Sequence, residues 1–83
     1  MTSKLVNINF PKSGMGIEEG TVARWLKRVG DPVSRGEILV EVETAKAIQE
    51  VEAPISGVLI QILLNQGETG MVNTALGVIE ENA

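Results

Sequence analysis

The chain of 83 residues contains no cysteine and no histidine. Disulfide bridges are therefore excluded, and so are metal sites built from thiolate or imidazole ligands. The same absences remove the usual nucleophile–base pairs, in which a histidine activates a serine or a cysteine. Most carboxylates alternate with apolar residues, which is typical of a solvated strand face rather than of a catalytic pair. We therefore expect a chain that is not an enzyme by itself.

Aromatic residues are also scarce, at 2% of the chain, and are limited to Trp25 and Phe10. The hydrophobic share is nevertheless an ordinary 43%, so the core must be built from Val, Ile, Leu and Ala. Such residues suit strands better than a compact helical bundle. At this length we predict one small domain over residues 1–83.

Long apolar runs and an excess of basic residues are missing as well. No stretch reaches the length of a membrane-spanning helix, and the N-terminus lacks the apolar segment of a signal peptide. The formal net charge is −4, whereas a nucleic-acid-binding surface is positively charged. We therefore expect neither a membrane nor a nucleic acid as a partner.

An internal repeat is present in the chain. When the sequence is shifted by 37 positions, residues 20–43 match residues 57–80 without a gap. The matched pairs are Gly20 with Gly57, Leu26 with Leu63, Gly30 with Gly67, Asp31 with Glu68, Leu39 with Leu76, Val42 with Ile79, and Glu43 with Glu80. A repeat of this length indicates two similar halves packed against each other.

The repeat resolves an ambiguous segment, residues 20–30. Its apolar residues have helical spacing and are Val22, Trp25, Leu26 and Val29. The matching residues 57–64 are rich in β-branched side chains, which is typical of a strand. We therefore predict a strand over residues 21–27.

A loop breaks the symmetry of the two halves. The first strand is predicted over residues 5–10, and Phe10-Pro11 matches Ala53-Pro54 at a shift of 43 rather than 37. The first half therefore has about six additional residues, within the segment 12–19. Loops of this kind are candidates for partner recognition, although a neutral insertion is the alternative. The predicted recognition residues are Ser13, Gly14, Met15, Gly16 and Ile17.

One lysine lies between two apolar runs. Residues 37–43 and 47–52 contain alternating apolar and polar residues, which is typical of half-buried strands. The short link between them predicts a β-hairpin with Lys46 at its tip. The counterpart of this link in the repeat is the end of the sequence, so we expect Lys46 at the opposite end of the domain from the termini. Without further information, such a lysine is a surface residue that adds solubility.

Taken together, these motifs resemble those of a known family, the lipoyl domain of 2-oxo acid dehydrogenase complexes. The resemblance covers residues 5–80 and depends on the order and spacing of several short motifs. They are Glu18–Lys27, Gly30-Asp31, Gly36–Leu39, Glu43–Ala47, Glu52–Pro54 and Gly57. The resemblance implies an all-β fold, a flattened barrel of two four-stranded antiparallel sheets with quasi-two-fold symmetry, in agreement with the repeat.

The resemblance also implies a non-catalytic carrier function centred on Lys46, which would hold lipoic acid in amide linkage after the action of a lipoyl ligase. Glu43, Thr44, Ala45 and Ala47 would present this lysine. The implied partners are a thiamine-dependent decarboxylase, an acyltransferase core and dihydrolipoamide dehydrogenase. We expect the domain to be monomeric, and to be cytoplasmic in a bacterium or in the mitochondrial matrix of a eukaryote.

The chain departs from the family pattern at Ala45, where the family commonly has Asp. Biotinyl domains share the fold but typically flank their lysine with methionines, whereas both neighbours of Lys46 are alanines. Two alternatives stay open, a biotin carrier of a carboxylase and an unmodified barrel that binds partners. Among lipoyl domains, Glu18–Thr21 and Trp25-Leu26 are nearer to the pyruvate and acetoin types than to the 2-oxoglutarate type.

Overall fold

The fold is a two-sheet barrel, and each element within the part of the chain that the structure describes is a strand. The structure, a computed structural model, describes residues 4–10, 19–44, 47–71 and 74–81. Within these ranges the strands are β1 (Leu5–Asn9), β2 (Glu19–Trp25), β3 (Pro32–Val33), β4 (Ile38–Glu43), β5 (Ile48–Glu52), β6 (Gly57–Ile62), β7 (Thr69–Met71) and β8 (Ala75–Glu81). No helix in the described ranges is long and apolar enough to cross a membrane.

The strands form two four-stranded antiparallel sheets. The first sheet has the order β1-β8-β6-β3 and the second has the order β5-β4-β2-β7. Each strand of the first sheet therefore has a counterpart at the same place in the second. This order confirms the predicted fold class and the quasi-two-fold symmetry expected from the repeat.

The turns that follow β2 and β6 contain the same hydrogen bonds. Asp31 Oδ2 accepts a hydrogen bond from the Arg28 N–H at 2.9 Å, and Glu68 Oε1 accepts one from the Asn65 N–H at 2.6 Å. In each turn the glycine before the acid has a positive φ, of 98° and 88°, a conformation in which glycine is favoured. Both acids are therefore turn residues that bond the local backbone.

A β-bulge in β2 explains why its apolar residues have helical spacing. The register between β2 and β4 shifts between Val22 and Arg24. This shift places the core-packing residues Val22 and Trp25 three positions apart rather than two. The same shift occurs in β6, between Leu59 and Gln61, so the bulge is part of the repeated frame.

The predicted strand over residues 21–27 is confirmed as a strand, but its bounds are wrong by two residues at each end. β2 begins at Glu19 and ends at Trp25. The strand ends there because the chain then crosses to the first sheet, where the Gly30 N–H donates to the Leu59 carbonyl at 2.7 Å. Glu19 was predicted to lie in the inserted loop, and the rest of that loop falls outside the described residues.

The core between the sheets is aliphatic, with one phenylalanine. Its largest fully buried side chains are Phe10, Ile8, Leu39, Leu59, Leu76, Ile79, Val22, Val40 and Val42. Trp25 packs against this core from the edge and its indole N–H donates to the Leu64 carbonyl at 2.7 Å. The core is thus built mainly from Val, Ile and Leu, as the scarcity of aromatic residues in the composition predicted.

We expect Trp25→Phe to lower the free energy of unfolding by about 1–2 kcal/mol. Phenylalanine keeps an aromatic ring at the core edge but removes the donor, so the partly buried Leu64 carbonyl loses its partner. Urea denaturation followed by circular dichroism measures the difference, because the variant has no tryptophan to report fluorescence. An unchanged free energy of unfolding would contradict a stabilising role for the indole hydrogen bond.

Strand β1 connects the two ends of the domain. At its start, the Glu81 N–H donates to the Lys4 carbonyl at 2.8 Å, so the first and last described residues lie together. Beyond its end, the ring of Phe10 lies against Gly20, and Gly20 packs on the carbonyl of Glu43. The chain therefore runs from the end that holds Lys4 and Glu81 towards the end that holds Glu43, as the repeat predicts.

Candidate functional site

The candidate site is the link between β4 and β5. These strands pair in antiparallel register up to Glu43 opposite Ile48, which confirms the predicted hairpin. Val40 and Val42 are fully buried and Glu43 is exposed. The inward valines hold the hairpin on the core, so the link lies at one end of a sheet that is anchored by burial.

The predicted attachment residue Lys46 and its neighbour Ala45 lie outside the described residues. The residues on either side of this pair are hydrogen-bonded to each other. The Thr44 N–H donates to the Ala47 carbonyl at 2.9 Å, and the Thr44 hydroxyl donates to the same carbonyl at 3.0 Å. The Ala47 N–H in turn lies 3.3 Å from Thr44 Oγ1. Thr44 and Ala47 thus join the two ends of the segment that contains Lys46.

The other predicted residues differ in their surroundings. Glu43 and Ala47 are exposed beside the link, whereas Thr44 is buried. The predicted recognition residues Ser13–Ile17 lie outside the described residues. The sequence prediction named Thr44 only as a turn residue and missed its hydrogen bonds, although threonine at the start of a turn often bonds the backbone through its hydroxyl.

A shallow groove with a volume of about 310 Å³ runs beside the link. It is lined by Glu19, Gly20, Thr21, Glu43, Thr44 and Thr69. The Thr21 and Thr69 hydroxyls are 2.9 Å apart and share a hydrogen bond. This polar lining differs from the largely apolar lining of small-molecule pockets. Within the described ranges, no group of three or more potential metal-ligating side chains is placed to hold an ion.

The outer face of the second sheet carries an acidic row close to the link. Glu50 lies opposite Glu41, and Glu41 lies opposite Arg24. Arg24 Nε is 3.5 Å from Glu41 Oε1, and the two side chains are 60% and 24% exposed. Such an exposed pair contributes about 0.2–1 kcal/mol to stability. We call Glu50, Glu41 and Arg24 the acidic row, because two of its three side chains are carboxylates and only one is a guanidinium.

The matching row of the first sheet is uncharged. Asn7 lies opposite Val78, and Val78 lies opposite Gln61. These positions correspond by the repeat to those of the acidic row, with the same register and the same bulge. Because one backbone frame accepts both sets of side chains, the fold does not require the charges. The charges of the acidic row therefore belong to the surface beside the link and not to the frame that the two halves share.

Glu37 immediately precedes β4, at the end of that strand away from the link. Its carboxyl has a perturbed pKa. Lys27 Nζ lies 2.9 Å from Glu37 Oε2, and the Ser34 N–H donates to Oε1 at 3.0 Å. The hydrogen bond from Lys27, together with that from Ser34, lowers the pKa of Glu37 below its usual 4.5. The carboxylate form is therefore favoured by folding.

We expect Glu37→Gln to make the stability of the domain less dependent on pH in acid. A lowered folded pKa contributes stability above the unfolded pKa of 4.5, and this contribution is lost as the pH falls through the folded pKa. Urea midpoints at about pH 7 and about pH 3 measure the effect, which should be a smaller difference in the variant. Glu52→Gln, at an exposed position on β5, is the control. An equal pH dependence in the unaltered domain, Glu37→Gln and Glu52→Gln would contradict a lowered pKa of Glu37.

Comparison with known proteins gives one family and several relatives. The Biotin_lipoyl family model, described as biotin-requiring enzyme, matches residues 6–79. The chain is 43% identical over 76 residues to the dihydrolipoyllysine-residue succinyltransferase component of the 2-oxoglutarate dehydrogenase complex of Staphylococcus saprophyticus, covering 92% of this chain and 18% of the relative. It is 41% identical over 71 residues to the dihydrolipoyllysine-residue acetyltransferase component of the acetoin cleaving system of Bacillus subtilis, covering 86% and 18%.

The chain thus spans less than a fifth of the length of these two relatives. Their nearly equal identities do not separate a 2-oxoglutarate type from an acetoin type, so the preference for the pyruvate and acetoin types stays a prediction. Among solved structures, the lipoyl domain of the 2-oxoglutarate dehydrogenase complex of Azotobacter vinelandii matches with a TM-score of 0.77 and 37% identity. That match covers 94% of this chain and 99% of that domain.

Proposed function

Because this chain belongs to the biotin- and lipoyl-attachment family, we propose that it is a lipoyl carrier domain whose attachment site is Lys46. The observation that carries the proposal is the hairpin link closed by Thr44 and Ala47, which contains the only basic residue of the sequence between positions 36 and 83. The resemblance of the whole fold to a lipoyl domain, at a TM-score of 0.77, supports the same conclusion.

The residues of the link fit a cofactor held through an amide. Such attachment needs one amine on a long stem, and lysine supplies a flexible four-carbon stem. The alanines on both sides of Lys46 are small, so a modifying enzyme would meet no bulky neighbouring side chain. Lipoic acid, when bound, supplies the thiol and disulfide chemistry that a chain without cysteine cannot provide.

The proposed role is transfer between the active sites of a 2-oxo acid or acetoin dehydrogenase complex. The domain would receive an acyl group and electrons from a thiamine-dependent decarboxylase. It would pass the acyl group to coenzyme A at the acyltransferase and be reoxidised by dihydrolipoamide dehydrogenase. The acyltransferase names of the relatives support this role. A flexible tether to such a complex would raise the local concentration of the carrier to the order of mM.

Co-expression with each type of ligase tests the proposal. The domain is produced with a lipoyl ligase and lipoic acid, or with a biotin ligase and biotin, and its intact mass is measured. We expect the mass of one lipoyl group in the first case and no addition in the second. A biotinyl addition would indicate a carboxylase carrier. No addition in either case would indicate an unmodified binding module.

A further inference from the structure

Thr44 is the one buried residue with a polar side chain in the described ranges, with 9% of its surface exposed. Its hydroxyl donates to the Ala47 carbonyl at 3.0 Å and accepts from the Ala47 N–H at 3.3 Å. Both backbone groups of Ala47 are therefore bonded to Thr44. The side chain spans the link from its first residue to its last.

Comparison of the two halves distinguishes the hydrogen bond that both halves contain from the bonds that occur only at the link. The bond from the Thr44 N–H to the Ala47 carbonyl, at 2.9 Å, recurs in the other half between the Glu81 N–H and the Lys4 carbonyl, at 2.8 Å. Position 81 has a glutamate, which has no hydroxyl. The two hydroxyl bonds of Thr44 are thus specific to the hairpin and are not needed to form the barrel.

We propose that Thr44 is a positioning residue, whose hydroxyl holds Thr44 and Ala47, the two ends of the link, together and thereby favours modification of Lys46. The link consists of Thr44, Ala45, Lys46 and Ala47, and the alanines have no polar group with which to fix the backbone. An enzyme that binds a backbone segment must fix its conformation, and the entropy lost in doing so weakens binding unless the ends of the segment are already held. A link already closed by the hydroxyl avoids part of that cost.

This inference rests on the proposed lipoyl attachment, and its experiment separates the two. Thr44→Val keeps the shape of the side chain without the hydroxyl, and Thr44→Ser keeps the hydroxyl. Thr74→Val, at an exposed threonine outside the link, is the matched control. Each protein is modified by a lipoyl ligase with lipoic acid, and kcat and KM for the domain are measured. Urea denaturation confirms that each variant is folded under the assay conditions.

We expect Thr44→Val to reduce kcat/KM by about tenfold, which corresponds to about 1.4 kcal/mol. This loss should appear mainly as a higher KM, because the link is restricted when the enzyme binds it. Thr44→Ser and Thr74→Val should stay within about twofold of the unaltered domain. Hydrogen exchange of the Ala47 amide should be faster in Thr44→Val and restored in Thr44→Ser, since this amide bonds the hydroxyl.

The possible results have different meanings. Equal kcat/KM values for the unaltered domain and Thr44→Val would overturn the role of Thr44 while leaving the proposed function in place. An equal loss in Thr44→Ser and Thr44→Val would also overturn it, because the hydroxyl would not be the cause. If the unaltered domain is not modified at all, the proposed function fails, and the inference about Thr44 fails with it.

Discussion

Lys46→Arg is expected to abolish attachment of lipoic acid and to leave the fold unchanged. Arginine keeps the positive charge and the length of the side chain, but its guanidinium stays protonated in proteins, so it cannot form the amide. After co-expression with a lipoyl ligase and lipoic acid, the intact mass of the variant should be that of the unmodified chain. Transfer of an acyl group from a thiamine-dependent decarboxylase to the domain should be lost as well.

Lys4→Arg is the matched control for this variant. Lys4 is exposed and lies beside Glu81, at the end of the domain away from the hairpin. We expect it to be modified as fully as the unaltered domain. Attachment removes the charge of one lysine, so isoelectric focusing should separate the modified control from the Lys46→Arg variant. A lipoyl addition on Lys46→Arg would place the attachment at another lysine.

Gly57→Ala is expected to lower the free energy of unfolding by about 3 kcal/mol, or the melting temperature by roughly 12–24 °C. A Cβ at Gly57 would overlap the carbonyl oxygen of Glu80 and lie 2.9 Å from its carbonyl carbon. Both are backbone atoms of β8, which is paired on both sides within its sheet. No change of rotamer relieves this contact, so the strands must separate.

Gly70→Ala is the control for Gly57→Ala, because its Cβ would overlap only the Cδ1 atom of Leu64, at the end of a flexible side chain. Rotation of Leu64 relieves the contact, and we expect a cost of about 1 kcal/mol or less. Urea denaturation followed by Trp25 fluorescence measures both variants. Equal costs for the two glycines would contradict the view that close approach of the β6 and β8 backbones is required.

The sequence repeat predicted two similar halves because the constraints on the backbone occur twice. Gly20 packs on the carbonyl of Glu43, and Gly57 packs on that of Glu80, at the same interval of 37 residues. Each glycine allows a strand to approach its neighbour, so the matched positions record matched strand contacts. The symmetry that relates the two sheets could therefore be predicted from the repeat, whereas the strand order within each sheet required the structure.

The local structure of β2 could not be predicted from its own residues. Its bulge moves Val22 and Trp25 onto one face at a spacing of three, which the pattern alone cannot distinguish from a helix. The strand end at Trp25 was also missed, since it depends on the crossing to the first sheet. That crossing is made by the bond between Gly30 and Leu59, two residues far apart in sequence.

The hairpin that contains Lys46 was predicted, but the contacts around it were not. The choice of Lys46 as the attachment residue came from the hairpin pattern and the family resemblance, and it stays a prediction. The hydrogen bonds of Thr44 and the acidic row could not, since they depend on which residues the register brings together across β2, β4 and β5. The contrast between that row and its uncharged counterpart required the structure of both sheets.

Tryptic digestion of the protein from its natural source tests the central claim most directly. The last two sites for trypsin in the sequence follow Arg35 and Lys46, and no lysine or arginine occurs after Lys46. An amide on Lys46 blocks the second site, so we expect one peptide that begins at Gly36, continues past Lys46 and carries one lipoyl group. A peptide of residues 36–46 that ends at an unmodified Lys46 in every fraction would contradict the account.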